Sequence, residues 1–248
     1  MTTFRDLFST TAPGYAKFRP GYPPALFEWL AGECRRTERA WDCATGTGQA
    51  AVGLADYFDS VIATDASRAQ LREAASHPKV SYVRSTAEAS GLASASMDAI
   101  VAAQAVHWFD RPAFFREARR VGRPGAVVAV WTYWRLIVAP GIDEVIDHFY
   151  STVVGPFWPP ERKLIEQQYR DIELPYEPID SPEIAIEFDM DLDAIAGYVG
   201  TWSSVQRYRE VRGADPVPML MADLAPLWGD PSRARPTRWP LAIRAGRL

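Results

Sequence analysis

An acid, a short turn and two closely spaced glycines stand together in Trp41-Asp42-Cys43-Ala44-Thr45-Gly46-Thr47-Gly48-Gln49-Ala50-Ala51. Gly46 and Gly48 lack a Cβ, so the backbone can turn tightly and a ligand can come close. The amide N–H groups that open the following helix then face that ligand. Asp65 ends the apolar stretch Ser60-Val61-Ile62-Ala63-Thr64 and lies 19 residues after Gly46. An acid at that spacing accepts hydrogen bonds from a ribose. The chemistry implied is the binding of a nucleoside cofactor. A second stretch, Gln104-Ala105-Val106-His107-Trp108-Phe109, holds an imidazole that can titrate near neutral pH. His107 is the candidate base or substrate hydrogen-bond donor, and Trp108 a candidate wall. Arg135, Trp202 and Arg207 are candidate substrate contacts, and Arg135 would suit an anionic acceptor.

These groups need elements to hold them. Residues 24–35 read as an amphipathic helix with Pro23 and Pro24 at its entry. Strands are expected at 39–44, 60–65, 80–85, 97–103 and 126–131. Helices are expected from Gln49 to Tyr57, over 68–75 with Ser67 as cap, and over 111–120. Pro78 cannot continue the second of these. Met97-Asp98-Ala99-Ile100-Val101-Ala102-Ala103 is nearly all apolar, as befits a parallel strand covered on both faces. Strand and helix alternate from 39 to 133, which predicts a doubly wound parallel sheet with right-handed crossovers. Ligands bind at the carboxyl ends of such strands, where Gln104 and His107 fall.

The rhythm breaks at 134–182, a segment rich in aromatics with a Gly155-Pro156-Phe157-Trp158-Pro159-Pro160 knot. It reads as a helical cap insertion that selects substrate. The organisation expected is an arm and cofactor-binding core over 1–133, the cap over 134–182, and strands and helices over 183–248 that complete the core. Within the last part a strand is expected at 183–188, a helix from Asp191, a helix carrying Leu220, Leu224 and Leu227, and a final strand at 239–244. Pro240 is awkward there because it removes a ladder donor.

Composition excludes several classes. With 248 residues, 48% of them apolar, the chain can bury a sizeable core. A net charge of −4 leaves no basic footprint for nucleic acid. Cys34 and Cys43 form neither a disulfide framework nor a zinc pattern, so no metal is expected. The longest apolar run, Ala126 to Trp134, is too short to span a bilayer, and the first residues lack a signal-peptide core. A cytoplasmic location with no membrane partner is the expectation. Nothing in the pattern fixes the oligomeric state.

The pattern Asp42-x-Ala44-x-Gly46-x-Gly48 resembles motif I of the class I S-adenosylmethionine-dependent methyltransferases, which usually have Gly where this chain has Ala44. Three further stretches look like the trans-aconitate methyltransferase-like subgroup. They are Y-x-x-x-R-P-x-Y-P at Tyr15 to Pro23, Q-A-x-H-W-F at Gln104 to Phe109, and E-x-x-R-V-x-x-P-G at Glu117 to Gly125. The resemblance implies a seven-stranded, mostly parallel sheet whose last strand is antiparallel. It implies S-adenosyl-L-methionine as cofactor and in-line methyl transfer to a small molecule, with a carboxylate as candidate acceptor. By the same resemblance Tyr15 and Arg19 meet the methionine carboxylate, and Asp42, Ala44, Gly46 and Gly48 form the cofactor turn. Asp65 meets the ribose; Thr86, which replaces a usual acid, meets the adenine with backbone groups, or Glu88 takes its place; Ala66, Ala87 and Gln104 are further cofactor-binding candidates. Two rivals stand beside this reading: an NAD(P)-dependent oxidoreductase, which shares the glycine turn and Asp65, and a non-catalytic cofactor-binding protein on the same fold.

Overall fold

The computed structural model describes residues 21–248. Helix α1 (Pro24–Glu33) opens with proline at its first turn and buries Leu26, Phe27 and Leu30. Then follow β1 (Arg39–Cys43), α2 (Gln49–Ala55), β2 (Ser60–Asp65), α3 (Arg68–Arg72), β3 (Val80–Arg84) and β4 (Met97–Ala103). Ser67 caps α3 by accepting from the Gln70 N–H at 3.3 Å. Helix α4 (Arg111–Val121) and β5 (Gly122–Thr132) complete the alternation, with Asp110 capping α4 through the Ala113 N–H at 3.1 Å.

Seven strands form one sheet in the order β3-β2-β1-β4-β5-β9-β6, where β6 is Glu177–Ile179 and β9 is Ala242–Arg247. The pairs among β1 to β5 are parallel, and β9 runs antiparallel to both β5 and β6. The period of two along β5 explains why the sheet is covered twice. Val127, Ala129 and Trp131 pack with Leu26, Phe27 and Leu54 on one face. Val128 and Val130 pack with Trp41, Phe114 and Val121 on the other.

The cap is built from two stretches of chain. One leaves β5 and carries α5 (Pro140–His148), a π-helical turn at Phe149–Val153 and α6 (Arg162–Glu166). The other leaves β6 and carries β7 (Ala185–Met190), α7 (Leu192–Gly200), α8 (Ser203–Arg212), α9 (Val217–Trp228) and β8 (Arg235–Pro240). Both feed one apolar core, in which Ile146 and Phe149 meet Ile195, Trp202, Leu224 and Trp239.

Four expectations from the sequence need correction here. The stretch at 183–188 is not the sixth strand of the main sheet; it is β7, which pairs with β8 in a separate two-stranded sheet. The strand that does join the main sheet, Glu177-Pro178-Ile179, lies within the segment read as cap. It has only three residues and contains a proline, which is tolerated because this is an edge position. The final strand begins after Pro240 and not at Trp239, and Pro240 is the terminal residue of β8. Leu227, expected on the inner face of its helix, is exposed, while Leu220 and Leu224 are buried.

Candidate functional site

The glycine turn between β1 and α2 is held in an uncommon backbone form. Ala44, Gly46 and Gly48 have φ of 55°, 58° and 90°. For Ala44 the left-handed form costs roughly 1–2 kcal/mol. Side chains and neighbours pin the loop in place. Thr45 N–H donates to the Thr64 carbonyl at 2.9 Å, and the Thr45 hydroxyl donates to Asp42 Oδ2 at 2.5 Å. Asp65 ties the loop to the end of β2: Oδ2 accepts from the Gly46 N–H at 2.9 Å and Oδ1 from the Ser67 N–H at 2.7 Å. Ala66, partly buried, accepts from Arg84 Nε through its carbonyl at 3.1 Å.

Asp42 is fully buried, and its Oδ1 has no hydrogen-bond partner among the described residues. Burial pushes its pKa up to about 7, with the nearby Asp65 charge adding to the rise. The Thr45 hydroxyl and the Ala51 N–H pull the other way. Gly48 serves a purpose that spacing alone did not reveal. A Cβ at this position would overlap the Tyr82 hydroxyl, which reaches across from β3 and donates to the Ala75 carbonyl at 2.6 Å. The missing side chain therefore makes room for a tyrosine of the protein itself.

In the loop after β3, Thr86 is exposed, Ala87 is buried and Glu88 is partly buried. Glu88 accepts from the Asp110 N–H at 3.1 Å, which places it at the entry of α4. Gln104, at the end of β4, has φ of 53°. Its amide donates to the Tyr133 carbonyl at 2.7 Å and its Oε1 accepts from the Thr132 hydroxyl at 2.5 Å. Gln104 thus fastens the carboxyl ends of β4 and β5 together.

Three residues on, the chain makes a single 3-10 turn over Val106–Trp108. His107 is buried, and its Nδ1 lies 2.8 Å from the hydroxyl of Tyr169, itself fully buried. Burial lowers the His107 pKa to about 3, and the positive charge of Arg162 adds to the effect. Burial likewise raises the Tyr169 hydroxyl well above its ordinary range. The pair is therefore neutral at physiological pH and linked by one hydrogen bond. The Trp108 ring packs beside His107 with centroids 4.7 Å apart.

Helix α6 packs against this turn and brings Arg162 with it. The Arg162 guanidinium carbon lies 4.3 Å from the Trp158 ring centroid and 5.3 Å from that of Tyr150. Its Nε donates to the Tyr150 hydroxyl at 2.7 Å, and that hydroxyl donates to Glu166 Oε1 at 2.6 Å. Trp134 and Trp202 close on the same ring of Tyr150, at 6.1 and 5.7 Å. The sequence places Trp134, Tyr150 and Trp158 in the expected cap and offers Trp202 as a substrate contact, but gives no sign of Arg162. No spacing links it to His107, and only its place just after Trp158-Pro159-Pro160 sets it among aromatic side chains.

The remaining sequence candidates separate. Trp202 is buried in the cap core beside Trp158 and Tyr198. Arg135 pairs with Asp147 at 2.6 Å, both half-exposed. Arg207 is exposed on α8. Tyr15 and Arg19 lie outside the described residues. No group of three or more histidine, cysteine, aspartate or glutamate side chains among the described residues could hold a metal ion. No described helix is long and apolar enough to cross a membrane.

Comparison with known proteins agrees with this geometry. A methyltransferase domain model matches residues 41–130, from the middle of β1 through most of β5. A protein of Dictyostelium discoideum assigned as a methyltransferase is 32% identical over 227 residues, covering 90% of this chain and 86% of that one. The solved structure of a protein from Anaeromyxobacter dehalogenans, assigned as a type II methyltransferase, superposes with a TM-score of 0.87 at 46% identity. It covers 93% of this chain and 98% of its own. A methyltransferase structure from Anabaena variabilis, 16% identical with a TM-score of 0.52 over 87% of this chain and 96% of that one, agrees in fold alone. The sheet order with its antiparallel β9 also departs from the dinucleotide-binding order 3-2-1-4-5-6. The chain belongs to the class I S-adenosylmethionine-dependent methyltransferases, with S-adenosylmethionine as its cofactor.

Proposed function

We propose that the chain methylates a small molecule bearing a carboxylate, held between the glycine turn and the cap, and that it belongs to the trans-aconitate methyltransferase-like subgroup. The residues of the turn fit the cofactor. A buried carboxylate oxygen on Asp42 is left without a partner beside a loop of left-handed backbone, which is the kind of unsatisfied group a ligand completes. In this reading Asp42, Ala44, Gly46 and Gly48 form the turn against the cofactor. Asp65 and Ala66 meet the ribose, Thr86 and Ala87 the adenine, and Gln104 lies at the methionine end, with Tyr15 and Arg19 on the arm. Glu88 contributes indirectly, because its carboxylate is engaged at the entry of α4.

The cofactor supplies a methyl group already made electrophilic by its sulfonium, so no metal or covalent intermediate is needed. The protein's task is positioning, which can lower a barrier by roughly 7–11 kcal/mol. His107 takes part as a neutral hydrogen-bonding group held in one orientation by Tyr169, since an imidazole with a pKa of about 3 is a feeble base at neutral pH. A carboxylate nucleophile needs no base, and that match carries the reading. Trp108 would serve as wall, and Trp202 would act through Tyr150 and Trp158.

The test is an acceptor screen with labelled S-adenosylmethionine over small carboxylic acids, alcohols and amines. Methyl esters should form, at a rate nearly independent of pH between 6 and 9. Turnover confined to alcohols or amines, rising with pH, would overturn the carboxylate assignment. Binding of the cofactor without turnover on any acceptor would favour a non-catalytic role.

A further inference from the structure

We propose that Arg162 is the residue that receives the acceptor's carboxylate, which rests on the reading of the acceptor given above. Arg162 is half-buried, and neither a hydrogen bond nor an ion pair joins it to a carboxylate among the described residues. Three other cap arginines are paired with an acid: Arg135 with Asp147, Arg209 with Asp215 and Arg238 with Glu187. The acid nearest in its network, Glu166, is occupied by the Tyr150 hydroxyl. A partly buried guanidinium with no direct ion pair of its own keeps its forked donors available for an anion.

The guanidinium is also well prepared for such an anion. Stacking over Trp158 holds its plane, and the Nε bond to Tyr150 fixes its rotation. The two Nη groups carry no other partner among the described residues, and together they match the two oxygens of a carboxylate. Aromatic rings form the surroundings: Trp134, Tyr150, Trp158 and Trp202. Their flat apolar faces favour a flat carbon skeleton next to the charge. The helix that carries Arg162 packs against the turn that carries His107, so the anion site adjoins the hydrogen-bonded pair beyond the end of β4. A basic residue here selects acceptors by charge, while the neutral His107 beside it imposes no charge of its own.

The experiment uses the full chain saturated with S-adenosylhomocysteine. Calorimetry compares succinate, fumarate, benzoate and phenylacetate, each against its amide. The wild type should bind at least one carboxylate about ten-fold or more tighter than its amide. Arg162→Gln should bring that ratio to within about two-fold, and Arg162→Lys should keep part of it, since charge remains but the fork is lost. S-adenosylhomocysteine affinity must stay unchanged in both variants, which shows that the core is folded. A carboxylate preference that survives in Arg162→Gln overturns the role of Arg162 and leaves the carboxylate reading standing. No preference in the wild type overturns both.

Discussion

The Tyr82 hydroxyl occupies the place that a Cβ on residue 48 would need. The second glycine of the turn is thereby coupled to β3, which β2 and β1 separate from β4 and the imidazole. Gly48→Ala should destabilise the fold by about 2 kcal/mol or more, of which the left-handed backbone accounts for roughly 1–2. In a Tyr82→Phe background the loss should be smaller, because the ring carbons lie 3.2 and 3.3 Å from the Cβ position and can yield slightly. Urea denaturation of the two single variants and the double variant measures this coupling. Strictly additive losses would show that the hydroxyl is no obstacle.

Ala44 carries a cost that a glycine would not. Its φ of 55° is roughly 1–2 kcal/mol unfavourable for alanine, and glycine would return about 0.5–1 kcal/mol of that through its greater unfolded freedom. Ala44→Gly should therefore stabilise the protein by about 0.5–1 kcal/mol, seen as a higher denaturation midpoint at unchanged slope. A lower midpoint would mean that the turn does not hold this form in solution.

Asp65 holds two backbone N–H groups before any ligand arrives. Asp65→Asn keeps one acceptor oxygen but turns an N–H₂ group toward the other donor. S-adenosylmethionine affinity by calorimetry should fall by about 1–3 kcal/mol, the scale of a charged hydrogen bond lost. An unchanged dissociation constant would remove Asp65 from the cofactor site.

His107 makes stability depend on acid. In the unfolded chain the imidazole takes up a proton below about pH 6.5, whereas in the fold it stays neutral down to about 3. Protons in that window bind the unfolded state preferentially, so stability falls as pH drops from about 6.5 toward 3. The effect is absent above 6.5. His107→Gln should flatten this part of the profile of melting temperature against pH. A variant with the same acid slope as the wild type would show that the titration belongs elsewhere.

Much of the cofactor half was legible because local signals agreed with the fold. Met97–Ala103 is apolar but for Asp98 and appears as β4 within the same limits, and Ser67 and Asp191 cap the helices they were expected to open. The glycine turn and Asp65 lie together as their spacing required. The far half was less legible because its pairings are remote in sequence. Glu177-Pro178-Ile179 has no alternation of its own and becomes a strand only because β9 lies beside it. The 183–188 stretch alternates well, but its partner is β8 and not the main sheet. Tyr169 reaches His107, and the helix bearing Arg162 packs on the same turn, through tertiary folding alone, and no periodicity announces contacts of that kind.

The cap's single core has a consequence for engineering and for divergence. Because α5 and its neighbours leave the sheet after β5 while α7, α8 and α9 leave after β6, the cap cannot be transplanted as one contiguous block. A chimera that exchanges only residues 133–176 would set foreign apolar side chains against the resident Ile195, Trp202 and Leu224. Productive grafts must carry both excursions, with β6 as the fixed seam between them.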